Sequence, residues 1–266
     1  MTQHVAIVTG ANHGIGAAIA ERLAADGLAV LLTYLSLDEP PVEGEPERLR
    51  ENHRQDASAV VDRSTEAGGL AVAGSADLLD ARVIPDLFDQ AEEAFCPVDV
   101  LVNNATGSLR DTFRAAELDW AGRALAPVTA ESFDRQFGVD ARAGALLMAE
   151  LSARLQARGV SWGRIISMTS GGEKGFPQEV SYGAAKAAIV NYTMSASLEL
   201  SRFGVTVNAL HPPVTDTGWV TDEVRGFVAQ DDAFFSVAEP SEVSDVVSFL
   251  VSDAGRRVTG NVIRMG

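Results

Sequence analysis

Val5-Ala6-Ile7-Val8-Thr9-Gly10-Ala11-Asn12-His13-Gly14-Ile15-Gly16 decides how the rest of the chain is read. Four apolar residues run into a glycine-rich turn, and the residues from Ile15 to Ala25 then recur with helical periodicity. Val30 to Tyr34 follows as a second apolar, strand-like run, so the opening is a βαβ unit. Glycines in such a turn can take positive φ and let the backbone come close to a ligand. The helix that starts there offers unpaired N–H groups and the positive end of its dipole, which suit a pyrophosphate. A glycine-rich turn alone serves any tight strand-to-helix connection. In the first βα turn of an α/β chain it points to a dinucleotide.

Working outward, the alternation continues. Strands are predicted at Leu70 to Gly74, Val98 to Asn103, Arg164 to Ser170, Val205 to Leu210 and Asn261 to Met265. Helices are predicted at Ala81 to Phe95, Phe133 to Arg158, Tyr182 to Arg202 and Ser241 to Ser252, the last with Ser241 as its N-cap. Apolar strands alternating with amphipathic helices call for a parallel sheet covered on both faces, a doubly wound α/β fold. The 266 residues suffice for a single domain, 1–266, and are few for a dinucleotide domain plus a separate substrate domain. Two polar segments, Ser36 to Gln55 and Gly107 to Thr129, are long for connections and are expected to elaborate a binding site.

Composition excludes other classes. With 21 basic and 37 acidic side chains the formal charge is −16, and there is no run of Lys or Arg to follow a phosphate backbone, so nucleic acid is not expected as a partner. One cysteine, Cys96, cannot form an internal disulfide, and no Cys/His spacing suits a metal. Neither a signal-like N-terminus nor an apolar run of about 20 residues is present, so a cytoplasmic protein without a membrane partner is expected.

The turn Thr9-Gly10-Ala11-Asn12-His13-Gly14-Ile15-Gly16 resembles the TGxxxGxG signature of the short-chain dehydrogenase/reductase family, and its classical, 3-oxoacyl-carrier-protein-reductase-like branch in particular. Asp77 and Leu78 match the adenine-contacting position after the third strand, and Asn103-Asn104-Ala105 matches the NNAG motif, with Thr106 in place of its glycine. Asn208 to Thr217 resembles the family's NxxxPGxxxT segment beside the nicotinamide. There Pro212, Val214, Thr215 and Thr217 are the implied contacts, and Pro213 replaces a glycine, losing an N–H and fixing φ. The resemblance runs from Val5 to Val262. It implies a Rossmann-type fold, a nicotinamide cofactor, a substrate lid around 213–238, and a homodimer or homotetramer formed through the two long helices.

Tyr182 and Lys186 are four residues apart, on one helical face. A phenol is a poor acid or base near neutrality, but an adjacent ammonium favours its ionised form and draws its pKa downward. Elsewhere the same spacing would more often be a half-buried tyrosine with a snorkelling lysine. Twelve residues earlier, Ser170 ends the strand that resembles the family's serine-bearing strand, and it is preferred over Thr169 or Ser167. The resemblance implies Ser170, Tyr182 and Lys186 as the catalytic set. It also implies Asp140 as the fourth member, standing where the family usually has an asparagine that anchors a water of the proton relay. The expected reaction is hydride transfer between nicotinamide and a small-molecule carbonyl or secondary alcohol.

An acid at the end of the second strand would bind the ribose hydroxyls of NAD. That position holds Tyr34, followed by Leu35. With no acid there, and with His13, Arg48, Arg50 and Arg54 near, NADP(H) is expected over NAD(H). Trp219, Phe227, Phe234 and Phe235 fall where the resemblance places the lid, and are expected either to form an apolar wall or to serve as interface residues. Thr106, Asp140 and Pro213 also motivate a different reading, a catalytically retired dinucleotide-binding regulator. Isomerase or dehydratase chemistry on the same scaffold is a third.

Overall fold

The computed structural model describes residues 3–171, 175–232 and 234–266. A seven-stranded parallel sheet forms its centre, in the order β3-β2-β1-β4-β7-β8-β9. The strands are β1 (Val5–Val8), β2 (Ala29–Tyr34), β3 (Leu70–Ser75), β4 (Val100–Asn103), β7 (Gly163–Met168), β8 (Val205–His211) and β9 (Val262–Arg264). Short β5 (Asp111–Thr112) and β6 (Ala126–Pro127) pair only with each other.

The sheet is buried on both faces because each parallel crossover lays a helix on one of them. Along β1 the side chains divide with period two. Val5 and Ile7 enter one core, with Phe88, Leu147, Leu151 and Ile189, while Ala6 and Val8 enter the other, with Ile19, Leu23, Val243 and Val247. The first core is filled by α4 (Val83–Ala94), α6 (Gly144–Arg158) and α7 (Val180–Leu200), the second by α1 (Gly14–Ala25), α3 (Ser58–Glu66) and α9 (Pro240–Val251). From β1 the chain winds outward through β2 to β3, then returns to β4 on the other side of β1. The crevice at the carboxyl ends of β1 and β4 is the topological switch point where such sheets bind ligands.

Several boundaries differ from those the pattern predicts. Helix α5 (Ala130–Phe137) starts earlier than Phe133, because Thr129 and Ser132 form a reciprocal capping box. The predicted long helix to Arg158 is interrupted by a π turn, Gly138–Ala143, which shifts the helix phase and turns Asp140 inward. Ser241 is not an N-cap; Glu239 is, with Pro240 at the first helical position and Glu242 closing the capping box. The segment 36–55 holds α2 (Glu47–Arg54), and α3 follows it as the true crossover helix.

Segments 36–46 and 107–129 lie against each other. Ala124 N donates to Glu43 O at 3.0 Å, Arg110 approaches Glu45 at 3.6 Å, and Arg135 pairs with Glu39 at 2.9 Å. Gly44, at φ +74°, passes so near the 107–129 segment that a Cβ would lie 2.3 Å from Gly122 O. Helix α8 (Asp222–Gln230) meets the 107–129 segment through Phe227, whose ring lies 5.0 Å from that of Trp120.

Candidate active site

The glycine turn forms a cradle at the end of β1. Gly10 and Gly14 have φ of +62° and +57°. A Cβ at Gly16 would sit 2.2 Å from Gly10 O, one at Gly10 would sit 2.8 Å from Ala105 Cα, and one at Gly14 would meet Thr217 at 2.9 Å. The first turn of α1 carries no acidic residue. Bare backbone at a helix N-terminus, without side-chain bulk or negative charge, fits a dinucleotide pyrophosphate. The turn packs closely against Ala105 at Gly10 and against Thr217 at Gly14.

Asn104 secures this cradle. Its Nδ2 donates to Thr9 O at 2.9 Å and Gly10 O at 2.8 Å, while Thr9 Oγ1 accepts from the backbone N–H groups of Asn104 and Ala105, both at 3.0 Å. Asn103 points instead toward Ser167 Oγ, at 3.4 Å, and leaves its buried Oδ1 unpaired. Beyond it lies a cavity of about 10 Å³ whose lining includes Thr9, Leu78, Asn103, Asp140 and Lys186. Asp77 turns its carboxylate onto Leu79 N at 2.9 Å. Tyr34 ends β2, where its carbonyl accepts from Ala76 N at 2.8 Å.

Among the basic residues near the turn, His13 is enclosed and its ring lies 5.4 Å from that of His53. Burial, reinforced by His53, lowers its pKa from an ordinary 6.5 to about 4, so it is uncharged at neutral pH. Arg54 pairs with Asp38 at 2.6 Å and Arg50 with Glu47 at 3.4 Å, whereas Arg48 stands 3.9 Å from Asp216. Asn12 Nδ2 donates to Gln55 O at 2.8 Å, and Asn52 Nδ2 donates to Thr217 O at 3.1 Å. These bonds strap α2 across the cradle, a role the sequence did not announce.

Tyr182 and Lys186 share the inner face of α7. Lys186 Nζ lies 5.4 Å from the Tyr182 ring centroid, donates to Met168 O at 3.2 Å, and stands 2.8 Å from Asp140 Oδ1. Burial opposes its charge, but Asp140 and then Tyr182 outweigh it and hold the Lys186 pKa above its ordinary value. Ser170 acts on the Tyr182 phenol and favours its ionised form. Thr169 faces away, donating to Lys186 O at 3.3 Å. The expected pull of Lys186 on the phenol meets a larger opponent. Burial pushes the Tyr182 pKa up, the Lys186 charge lowers it, Asp140 and Glu179 add to the rise, and Ser170 lowers it.

Asp140 Oδ2 accepts from Gln136 Nε2 at 2.6 Å, Gly107 N at 2.8 Å and Thr106 Oγ1 at 3.2 Å. Two departures from the family pattern, Thr106 and Asp140, thus bond to each other. Gln136, fully buried, went unnoticed in the sequence; its place one helical turn before Asp140 was the available signal. The third departure, Pro213, accepts a bond from Thr215 Oγ1 at 2.9 Å, and Val214 O accepts from Ala238 N at 2.8 Å.

Of the four lid aromatics, Phe227 lies 5.0 Å from Trp120 and 6.0 Å from Phe234, and Arg123 stacks over Trp219 at 5.4 Å. Phe235 does not join them: it is 91% exposed beside Gly266. Phe176, 5.8 Å from the Tyr182 ring, and Trp120 are wall residues that sequence patterning missed. Among the described residues no His/Cys/Asp/Glu group is placed to hold a metal, and no helix is long and apolar enough to cross a membrane.

Comparison with known proteins agrees with this geometry. Residues 4–226 match the short chain dehydrogenase family. The chain is 32% identical to a 3-oxoacyl-[acyl-carrier-protein] reductase of Synechocystis, covering 100% of this chain and 96% of that protein. A dehydrogenase/reductase from Sinorhizobium meliloti superposes with a TM-score of 0.79 at 32% identity, over 100% of this chain and 94% of the other. The angucycline C-6 ketoreductase LanV, solved with bound NADP, gives 0.78 at 30% identity over 98% and 93%.

Proposed function

The chain belongs to the short chain dehydrogenase family and is a nicotinamide-dependent oxidoreductase acting between a carbonyl and a secondary alcohol; we propose that it works as an NADPH-dependent ketoreductase with Tyr182 as proton donor. The observation that carries this is the buried Lys186–Asp140 ion pair, 2.8 Å apart, with the Lys186 ammonium 5.4 Å from the Tyr182 ring. A phenol kept protonated by burial is an acid ready to give its proton to a carbonyl oxygen as that oxygen gains charge. Ser170 orients and polarises the same oxygen. Lys186 holds a positive charge behind the phenol, where it stabilises the phenolate left after transfer and can hydrogen-bond a cofactor ribose. Asp140 keeps that ammonium charged and in place. When bound, the nicotinamide supplies the hydride.

Thr9, Gly10, Asn12, His13, Gly14, Ile15 and Gly16 would hold the pyrophosphate side of the cofactor. Tyr34, Asp77, Leu78, Asn103 and Ala105 would hold the adenosine side and the middle, and Pro212, Val214, Thr215 and Thr217 the nicotinamide side. The preference for NADPH rests on Tyr34 and Leu35 standing where an acid would bind ribose, and on Arg54 at the neighbouring edge. LanV, a relative of this size and fold, carries NADP. Trp120 and Phe227, 5.0 Å apart, and Trp219, which bonds Thr215 O, suit a ketone with a flat apolar or aromatic body. The exposed Phe133, Leu146, Tyr192 and Leu198 of α5, α6 and α7 suit a homo-oligomer, most simply in the cytoplasm.

Paired titrations with NADPH and NADH, followed by a panel of ketones and ketoacyl thioesters read by nicotinamide absorbance, test the reading. Tighter NADPH binding with its oxidation by a panel member is the expected result. Tight binding with no oxidation across the panel would overturn it.

A further inference from the structure

The segment 107–129 brings a carboxylate, that of Asp111, between the beginnings of two helices. Asp111 is 0% exposed, and both of its oxygens are engaged. Oδ1 accepts from Ser181 N at 2.9 Å, and Oδ2 accepts from Ser132 Oγ at 3.1 Å. The first N–H groups of any helix lack partners within it. Helix α7 does not cap itself, since its N-cap residue Glu179 makes no side-chain capping bond. Ser181 is only 5% exposed, so water is poorly placed to serve its N–H. A residue 70 positions earlier in the chain does so instead.

The second oxygen makes the arrangement more than a cap. Ser132 belongs to the capping box that starts α5, and α5 leads through the π turn to Asp140. Ser181 immediately precedes Tyr182, and Lys186 follows one turn later. One carboxylate therefore ties the first turn of the helix that presents Asp140 to the first turn of the helix that presents Tyr182 and Lys186. The same segment holds the approach to α7 twice more: Arg123, paired with Asp119 at 2.7 Å, lies 3.8 Å from Glu179, and Trp120 N donates to Gln178 Oε1 at 3.4 Å.

We propose that Asp111 is a positioning residue for the reductase reaction, setting where Tyr182 and Lys186 stand relative to Asp140, and that the 107–129 segment is the clamp that delivers it. The inference rests on the ketoreductase reading. A misplacement of about 1 Å at reacting groups can cost on the order of 100-fold in rate, so a clamp on the first turn of α7 acts on turnover without touching substrate.

The test compares wild type with Asp111→Ala, Asp111→Asn and Ser132→Ala. It measures kcat and KM for the ketone that wild type reduces fastest, NADPH affinity by fluorescence titration, and amide hydrogen exchange over the first turn of α7. Asp111→Ala is expected to lower kcat by about 10- to 100-fold with NADPH affinity within about twofold, and to speed exchange at Ser181 and its neighbours. Asp111→Asn keeps an oxygen for Ser181 N and should stay within about threefold of wild type, with Ser132→Ala between the two. An unchanged kcat in Asp111→Ala, or equal losses in the alanine and asparagine variants, would overturn the proposal. Where Asp111→Ala does not fold, Asp111→Glu, with its acceptor displaced by one methylene, replaces it, and an unaltered kcat there is equally fatal. Wild type that reduces no ketone removes the reductase reading, and hydrogen exchange in the unliganded variants then decides the clamp by itself.

Discussion

Lys186 and Asp140 form a buried ion pair, 2.8 Å apart. The carboxylate raises the lysine pKa, so the pair's contribution to stability persists through neutral pH and is lost only as pH climbs past about 10. Asp140→Asn leaves the ammonium buried without its anion and should cost about 3 kcal/mol in urea unfolding. It also removes one of the influences raising the Tyr182 pKa. The pH at which alcohol oxidation reaches half its maximum should therefore move down, and a profile that stays put or moves up contradicts the assigned role.

Tyr182→Phe removes the proton donor and nothing from the glycine cradle. Turnover should fall by on the order of 1,000-fold while NADPH affinity stays within about threefold. A stopped assay for activity and a fluorescence titration for binding check the two halves separately. Retention of a tenth of wild-type activity would dismiss the phenol from the mechanism.

His13 gives an acid signature that is independent of substrate. Its pKa is 6.5 ordinarily and about 4 in the fold, so between those values the unfolded chain binds more protons and stability falls as pH is lowered. The loss amounts to at most about 3 kcal/mol. His13→Asn should flatten the decline of urea stability between pH 6.5 and pH 4; an unaltered slope would mean that the ring is not the group responsible.

Leu35→Asp places an acid just after β2 at a site already 40% exposed, so folding should be little affected. Negative charge there repels a ribose phosphate and welcomes ribose hydroxyls. The ratio of NADH to NADPH affinity should rise by about tenfold or more. No change in that ratio would place the phosphate elsewhere, for example nearer Arg48.

Legibility followed the physics of each element. The alternation of apolar runs with helical periodicity placed the seven parallel strands, because burial on both faces writes itself into sequence as continuous hydrophobic stretches. Spacing put Tyr182 and Lys186 on one helical face and the glycine turn at a strand end, whereas Ser170 and the roles of the set came from the resemblance to the family. Asp111, Gln136, Asn52 and Trp120 were not legible. Asp111, Asn52 and Trp120 act through partners tens of residues away, which no local period reports, whereas Gln136 lies one turn before Asp140 but looks like any polar helix residue until the π turn is known. Helix α3, with only Val60 and Ser64 buried, carries too thin an apolar stripe to stand out. The π turn was hidden for another reason: its six residues look helical, and only the partners of Asp140 betray the altered phase.

That π turn amounts to one residue more than an uninterrupted α-helix would hold over the same stretch. An α-helix advances about 100° per residue, so removing a single residue between Gly138 and Asp140 and letting the helix become regular would swing everything before it by that angle relative to Lys186. Gln136, which lies before the deletion, would leave the place from which it holds Asp140 and Leu109 N, while Asp140 and Lys186 lie after it. A one-codon change in spacing, with every functional side chain still present, is thus enough to undo the support of Asp140 by Gln136, and chain length here is as much a coded property as residue identity.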